Sequence, residues 1–393
     1  MTHPARKTRP SNRRALILSA AAQLFRRDGY PKVGMKDIAD AVAVAPSSLY
    51  HHFPTKNDLL EAVVSDALTT AEQILLDALD RPGDDFIAEL ASRVSDARAI
   101  GVLWRRESRH LSDDTRHVLR SQIQRIGAAL AALIHRDRPE LDSTQADFLA
   151  WAVLAVVTSV SFHNIDTPPE LIEPLMRNAA TAEVPPLQRI PSVTVAPRPW
   201  WPSRREQILA TATQLFAAHG FTGVSLEDIG AAIGITGPSI YNHFATKAEI
   251  LSAAMMRGNE ILRADLYRAF EHSISPIDAL TRLIDSYREF AMTHGDIIEL
   301  LVSEVDQLPD AERSQSRAAQ HAYITEWVGV LRQVLERADE SDARIRVQAI
   351  LFTINDIATT SHLRLKGADR AITSLALRLA GTADRSRTEI PIS

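Results

Sequence analysis

The stretch DIGAAIGITGPSIYNHFATKAEIL, Asp228–Leu251, decides how this chain is read, because DIADAVAVAPSSLYHHFPTKNDLL, Asp37–Leu60, precedes it at a shift of 191 residues. Extended to Arg13–Leu60 against Arg204–Leu251, the two segments are identical at 20 of 48 positions without a gap. The identities include Ile17/Ile208, Leu24/Leu215, Phe25/Phe216, Gly29/Gly220, Asp37/Asp228, Tyr50/Tyr241, His52/His243, Phe53/Phe244 and Lys56/Lys247. The chain is a duplication. Similarity returns at a shift of 197, where Glu107, Leu111, Asp113 and Arg116 align with Glu304, Leu308, Asp310 and Arg313, so each copy spans about 190 residues.

Apolar residues inside the repeat have helical spacing: Leu16, Ile17, Ala20, Leu24 and Phe25 in the first copy, Ile208, Thr211, Leu215 and Phe216 in the second. Gly29 and Gly220 end that helix. The pairs Ser203/Glu206, Ser225/Asp228 and Thr246/Glu249 have the capping-box spacing and predict helices that begin near 204, 226 and 247. A fourth, between 237 and 243, follows the short turn Ile233–Thr236. Two short helices joined by such a turn form the helix-turn-helix unit, whose second helix enters the DNA major groove. Small residues at Gly237, Pro238 and Ser239 let that helix approach the bases, while Tyr241, Asn242, His243 and Lys247 are donors for phosphates or base edges. Leu49, Phe53, Ile240 and Phe244 are assigned to the core.

At these residues the chain resembles the TetR/AcrR family of one-component bacterial transcription regulators, and it carries the signature twice. The resemblance implies an all-α fold of two tandem units, each a helix-turn-helix domain followed by a helical ligand-binding and dimerisation domain. It also implies operator DNA as partner, a small-molecule effector, and helices that elsewhere form a four-helix bundle between two subunits. With both partners on one chain, the simplest arrangement is an intramolecular pseudo-dimer, with further homodimerisation open. The DNA-facing candidates are Arg6, Arg9, Arg13, Pro46, Ser47, Ser48, Tyr50, His51, His52 and Lys56 in the first copy. In the second they are Ser225, Thr236, Gly237, Pro238, Ser239, Tyr241, Asn242, His243 and Lys247. The family's hydroxyl openings of its second and third helices stand at Ser225 and Thr236, but the first copy has Gly34 and Ala45 there. Each missing cap is worth about 1 kcal/mol.

The boundaries that follow are a basic arm and first helix-turn-helix domain at 1–56, a helical body at 57–180, a Pro-rich linker at 181–202, a second helix-turn-helix domain at 203–247, a second body at 248–384, and a tail at 385–393. The linker holds six prolines in 22 residues and reads as an extended, semi-rigid connector. The bodies contain amphipathic helices such as Thr281–Leu301 and the apolar runs Phe148–Phe162 and Ile345–Ile357. Candidate residues for an effector pocket are Trp104, Glu107 and His110, then Tyr287, Phe290, Glu304, Tyr323 and Trp327. Ordinary core packing is the competing reading for the aromatics, and a helix cap or salt bridge is the competing reading for the repeated Glu107 and Glu304.

Composition narrows the other classes. Cysteine is absent, which excludes disulfides and thiolate sites, and 15 glycines in 393 residues leave little room for phosphate-binding loops. No HExxH, Walker or G-x-S-x-G motif points to an enzyme, and no cofactor or metal is expected. A ligand-independent structural DNA-binding protein is the alternative. Phe148–Phe162 is short for a membrane span and is broken by Thr158, Ser159 and Ser161, and the N-terminus lacks a signal-type apolar core, so no membrane partner and a cytoplasmic location are expected.

Charge separates the two copies. Residues 1–56 carry ten basic and three acidic side chains, a local +7, whereas residues 200–247 carry three of each. With a total of −5, residues 57–393 must hold −12. A basic arm, Arg6–Arg14, thus accompanies one reading unit and suits the DNA backbone or minor groove. Deleting residues 2–12 is expected to flatten the dependence of DNA affinity on salt, by about 0.9 in log–log slope for each phosphate that the arm no longer neutralises. An unchanged slope in a filter or anisotropy titration makes the arm a bystander.

Overall fold

The structure is a computed structural model that describes residues 13–94, 98–190, 201–336 and 338–382. The arm residues Arg6 and Arg9, connector residues 191–200 and the tail from 383 lie outside the described residues. The described chain is helical almost throughout and divides into two compact units, residues 1–129 and 130–393. The first runs through α1 (Arg13–Asp28), α2 (Met35–Ala41), α3 (Pro46–His52), α4 (Lys56–Asp80), α5 (Phe86–Val94), the single turn α6 (Ile100–Val102) and the opening part of α7 (Asp113–Asp137). The second contains the rest of α7, α8 (Ser143–Ser159) and α9 (Pro169–Ala180), followed by the whole second copy. That copy comprises α10 (Arg204–His219), α11 (Leu226–Ala232), α12 (Gly237–Ile240), α13 (Lys247–Glu271), α14 (Pro276–Thr293), α15 (Gly295–Ser303), α16 (Asp310–Val334), α17 (Glu340–Thr359) and α18 (Ala368–Ala380).

The boundary between compact units therefore falls inside α7 and not in the Pro-rich connector. The cause is packing: α8 and α9, from the first copy, lie against α17 and α18, from the second. Phe148, Leu149, Val153 and Val156 on α8 and Ile345, Val347 and Ile350 on α17 are fully buried. At one end the Phe162 and Phe352 rings stack with centroids 4.7 Å apart, and Trp151 meets His362 edge-on at 5.1 Å. At the other, Asn178 Nδ2 donates to the Arg378 carbonyl at 3.2 Å and Arg378 Nη2 donates to Thr181 Oγ1 at 2.9 Å. Ser143–Phe162 is long and apolar enough to cross a membrane by length and composition, yet most of it is buried in this packing.

The first part of the connector is docked. Arg138 Nη1 donates to the carbonyls of Ala180 and Ala182, Gln145 Nε2 to that of Val184, and Ser374 Oγ to that of Glu183. Ala182 and Leu187 are buried, and β1 (Gln188–Arg189) pairs antiparallel with β2 (Leu365–Lys366). Gly367 makes room for the strap, since a Cβ there would lie 2.9 Å from the Pro186 carbonyl oxygen. The sequence predicts an extended, semi-rigid connector over 181–202; in its described first part the carbonyls of Ala182, Glu183 and Val184 find side-chain donors on the bundle.

The reading units are built alike. Ile17, Phe25, Ile38, Leu49, Phe53, Leu59 and Leu60 form one buried core, and their counterparts Ile208, Phe216, Ile229, Ile240, Phe244, Ile250 and Leu251 form the other. Helices start at 204, 226 and 247 as the spacing predicts, although α13 is long and α12 ends at Ile240 before a run of tight turns to His243. Three caps form with side chains: Thr55 Oγ1 accepts from Asp58 N, Ser225 Oγ from Asp228 N, and Thr246 Oγ1 from Glu249 N. Two predicted caps do not. Ser203 makes no side-chain cap, the Glu206 carboxylate pairs with Arg257 at 2.7 Å, and the Thr236 hydroxyl bonds the Ser239 hydroxyl rather than a backbone amide.

The turn between the two helices of each unit needs a left-handed residue. Gly234 fills the place at φ 71°, with nothing near its absent Cβ, whereas Ala43 fills it at φ 51°. An L-residue in this region costs about 1–2 kcal/mol, set against the 0.5–1 kcal/mol of chain entropy that glycine loses. Ala43→Gly is thus expected to stabilise by up to about 1 kcal/mol and Gly234→Ala to destabilise by about the same, read from urea unfolding midpoints. Opposite signs would contradict the strain assignment.

Candidate nucleic-acid interface

In the first unit α3 presents Pro46, Ser47, Tyr50, His51 and His52 to solvent, with Ser48 half-buried behind them. In the second, Thr236, Pro238, Tyr241 and Asn242 are exposed, while Ser239 and His243 are half-buried. Tyr50 and Tyr241, at 50% and 59% exposure, are large aromatic side chains left on a surface whose other side, Leu49/Phe53 and Ile240/Phe244, is buried as expected. Arg13 is half-buried at the start of α1, and Ser225 is exposed at the start of α11. A surface of hydroxyls, amide, imidazoles and phenols on a short helix offers donors and acceptors to base edges and phosphates.

Two predicted contacts take other roles. Lys56 Nζ donates to the carbonyls of Tyr30 at 2.8 Å and Val33 at 3.0 Å and lies 4.1 Å from the Tyr30 ring centroid. Lys247 Nζ repeats this on Phe221 and Val224, both at 2.8 Å, over the Phe221 ring at 4.3 Å. Burial lowers the pKa of both ammonium groups, with Glu107 acting in the opposite sense on Lys56. These lysines fasten the loop after the first helix to the start of the long helix, so they turn inward where the sequence predicts free phosphate contacts. Gly237 is likewise buried: its missing Cβ makes room for the Glu227 carboxylate, whose Oε1 lies 2.9 Å from where that Cβ would be.

The pocket candidates separate into two groups. Glu107 and His110 lie at the junction of body and reading unit, because the His110 ring stacks on Tyr30 at 4.8 Å and Glu107 Oε2 lies 3.6 Å from His110 Nε2. Burial first, then Arg109 and Lys56, holds the His110 imidazole below its ordinary pKa. Trp104 is half-buried one turn earlier. The repeated Glu304 is buried just after α15, which packs on α10, again where a body meets a reading unit. Tyr287, Phe290, Tyr323 and Trp327 instead gather inside the second body. Tyr287 is 5.9 Å from Trp327 and 6.1 Å from Tyr323 between ring centroids, and its hydroxyl donates to Asn355 Oδ1 at 2.9 Å. Burial raises the pKa of both phenols. A separate cleft of about 570 Å³ opens along α1, α4 and α5, lined by Arg14, Asp66, Gln73, Glu89 and Arg93 among others, and none of the eight pocket candidates lines it.

The residues that reasoning from sequence passes over are Lys36 and Glu227, aligned members of the repeat with opposite charge. Both are exposed near the amino end of the first helix of their helix-turn-helix pair.

The model of bacterial regulatory proteins of the tetR family matches residues 17–63 and again 208–254. The chain thus carries two domains of the tetR-family type, one in each copy of the repeat. It is 31% identical over 117 residues to the transcriptional repressor KstR2 of Mycolicibacterium smegmatis, a stretch covering 28% of this chain and 57% of that protein, so little more than half of the relative's length is matched. It is 39% identical over 51 residues to the transcriptional regulator UidR of Escherichia coli K12, covering 13% and 26%. The solved structure of KstR2 of Mycobacterium tuberculosis aligns with a TM-score of 0.39 at 23% identity, over 46% of this chain and 96% of that one.

Replacing Lys247 by Met is expected to lower stability in the absence of DNA by about 1–3 kcal/mol, because two carbonyls are deprived of a charged donor. A lysine held free for phosphate leaves the unfolding midpoint untouched, and that outcome would return Lys247 to the DNA-contact set.

Proposed function

We propose that this chain is a DNA-binding transcriptional regulator that works as a dimer equivalent, one chain carrying both reading units to a single operator. The observation that carries the reading is the presence of two tetR-family domains whose following helices, α8 and α9 from one copy and α17 and α18 from the other, pack as one bundle. In a closed two-fold dimer such an interface joins two chains; here it joins two halves of one. The DNA-facing sets are Arg13, Pro46, Ser47, Ser48, Tyr50, His51 and His52, then Ser225, Thr236, Pro238, Ser239, Tyr241, Asn242 and His243, with the arm residues Arg6 and Arg9 adding backbone affinity. The protein acts in the cytoplasm, as a soluble regulator with the relatives' kind of role, and performs no catalysis. The domain limits drawn on the repeat stand as part of this proposal.

Repression relieved by a small, largely apolar effector follows from the same reading. Differential affinity of the effector for the two DNA-binding states is required, and about 1–3 kcal/mol of coupling suffices. One observation favours a second reading, a ligand-independent DNA-binding protein: the aromatic side chains of the second body are packed on one another around the Tyr287–Asn355 bond. A thermal-shift screen of acyl-thioesters and aromatic acids, followed by release from DNA, separates the two.

Operator symmetry mirrors protein symmetry, and the two reading faces differ. His51 in one stands where the other has Asn242, which can pair bidentately with adenine. Selection of sites from random duplexes is expected to yield two unequal half-sites; a perfect palindrome contradicts the proposal.

A further inference from the structure

The two reading units carry opposite charges at one aligned position. Lys36 occupies the second residue of α2 and Glu227 the second residue of α11, on the same register of the repeat. Both are exposed, and among the described residues no hydrogen bond or ion pair engages either of them. The Glu227 side chain also has a seat. Gly237, buried at the first position of α12, leaves open the space into which the carboxylate extends, whereas its counterpart Pro46 has a ring there. The carboxylate therefore lies beside the amino end of the recognition helix.

That location matters for DNA. In a helix-turn-helix complex the first helix crosses the phosphate backbone while the amino-terminal residues of the second meet the bases. A group at the second residue of the first helix, lying against the first residue of the second helix, faces phosphates at the groove edge. Neighbouring positions do not compensate. Arg26, Arg27 and Lys32 of the first copy are Ala217, Ala218 and Gly223 in the second, Lys247 is bonded to carbonyls, and Arg205 lies over the Phe244 ring at 4.3 Å.

We propose that Glu227 is a discriminating residue of the second reading unit, a carboxylate that repels the DNA backbone where Lys36 attracts it, so that the first unit supplies most of the affinity and the second engages only when its bases match. The proposal rests on the DNA-binding reading above. It assigns unequal duties to the two halves: nonspecific capture to the first, and rejection of mismatched partners by a repulsive element to the second.

The test uses the full chain and two duplexes, one selected by the wild-type protein and one of scrambled sequence. Glu227→Gln, which keeps the shape and removes the charge, is expected to tighten binding to the scrambled duplex several-fold with an unchanged salt slope. Glu227→Lys is expected to tighten it about tenfold and to steepen the log–log slope by about 0.9, the value for one added phosphate contact. Both variants should narrow the ratio between selected and scrambled duplexes. Lys36→Glu is the internal control and should weaken binding to both. If wild type binds and Lys36→Glu weakens it while both Glu227 variants match wild type, Glu227 does not face DNA and the proposal fails. Weaker binding by Glu227→Gln also overturns it, by making the carboxylate a base contact or a support for α12. If no duplex is selected at all, the fault lies with the DNA-binding reading and not with Glu227.

Discussion

The packing of α8 and α9 on α17 and α18 is the contact on which the remaining organisation depends. It is made of side chains that a free helix could not leave in water: α8 is apolar around most of its circumference, and α17 buries Ile345, Val347, Ile350 and Ile354. Burial of this kind contributes about 25 cal/mol for each Å² of apolar surface removed from water. Each copy supplies half of the layer, so each copy's body has a partner within the same chain. The aromatic stack of Phe162 on Phe352 and the bonds from Asn178 and Arg378 then set the register.

From that layer the strap Thr181–Arg189 follows. A connector leaving α9 beside α18 meets Arg138, Gln145 and Ser374, whose side chains satisfy carbonyls that proline-rich chain cannot pair with itself. From Ile190 the chain has only residues 191–200 to cross before Trp201, a span of at most about 36–40 Å when fully extended. This is well below the roughly 60 Å that a connector of 22 free residues at about 3 Å each would allow. The tether therefore restricts which second copy can pair with a given first copy.

Much of this is legible in the amino-acid order, and the remainder is hidden for identifiable reasons. The duplication, the helix starts at 204, 226 and 247, and the inward-facing Phe53 and Phe244 follow from period and capping chemistry, which act within a few residues. Lys56 and Lys247 mislead because a lysine at the head of a helix looks like a phosphate contact, and only the fold brings the carbonyls at 30 and 33, or 221 and 224, to its ammonium group. Gly237 looks like an opening toward DNA, but the fold fills the space with Glu227. The contact of His110 with Tyr30 is equally hidden, because that ring lies eighty positions away in sequence. Failures of this type share a cause: the deciding neighbour is distant along the chain.

The central claim is that one chain does what two chains do in an ordinary dimer of this kind. Its most direct test is the mass of the complex formed with the shortest duplex that retains full affinity, measured by native mass spectrometry or by light scattering at low protein concentration. The account predicts one chain per duplex, with no second binding step as protein is added. Two chains on that minimal duplex, bound cooperatively, would contradict it.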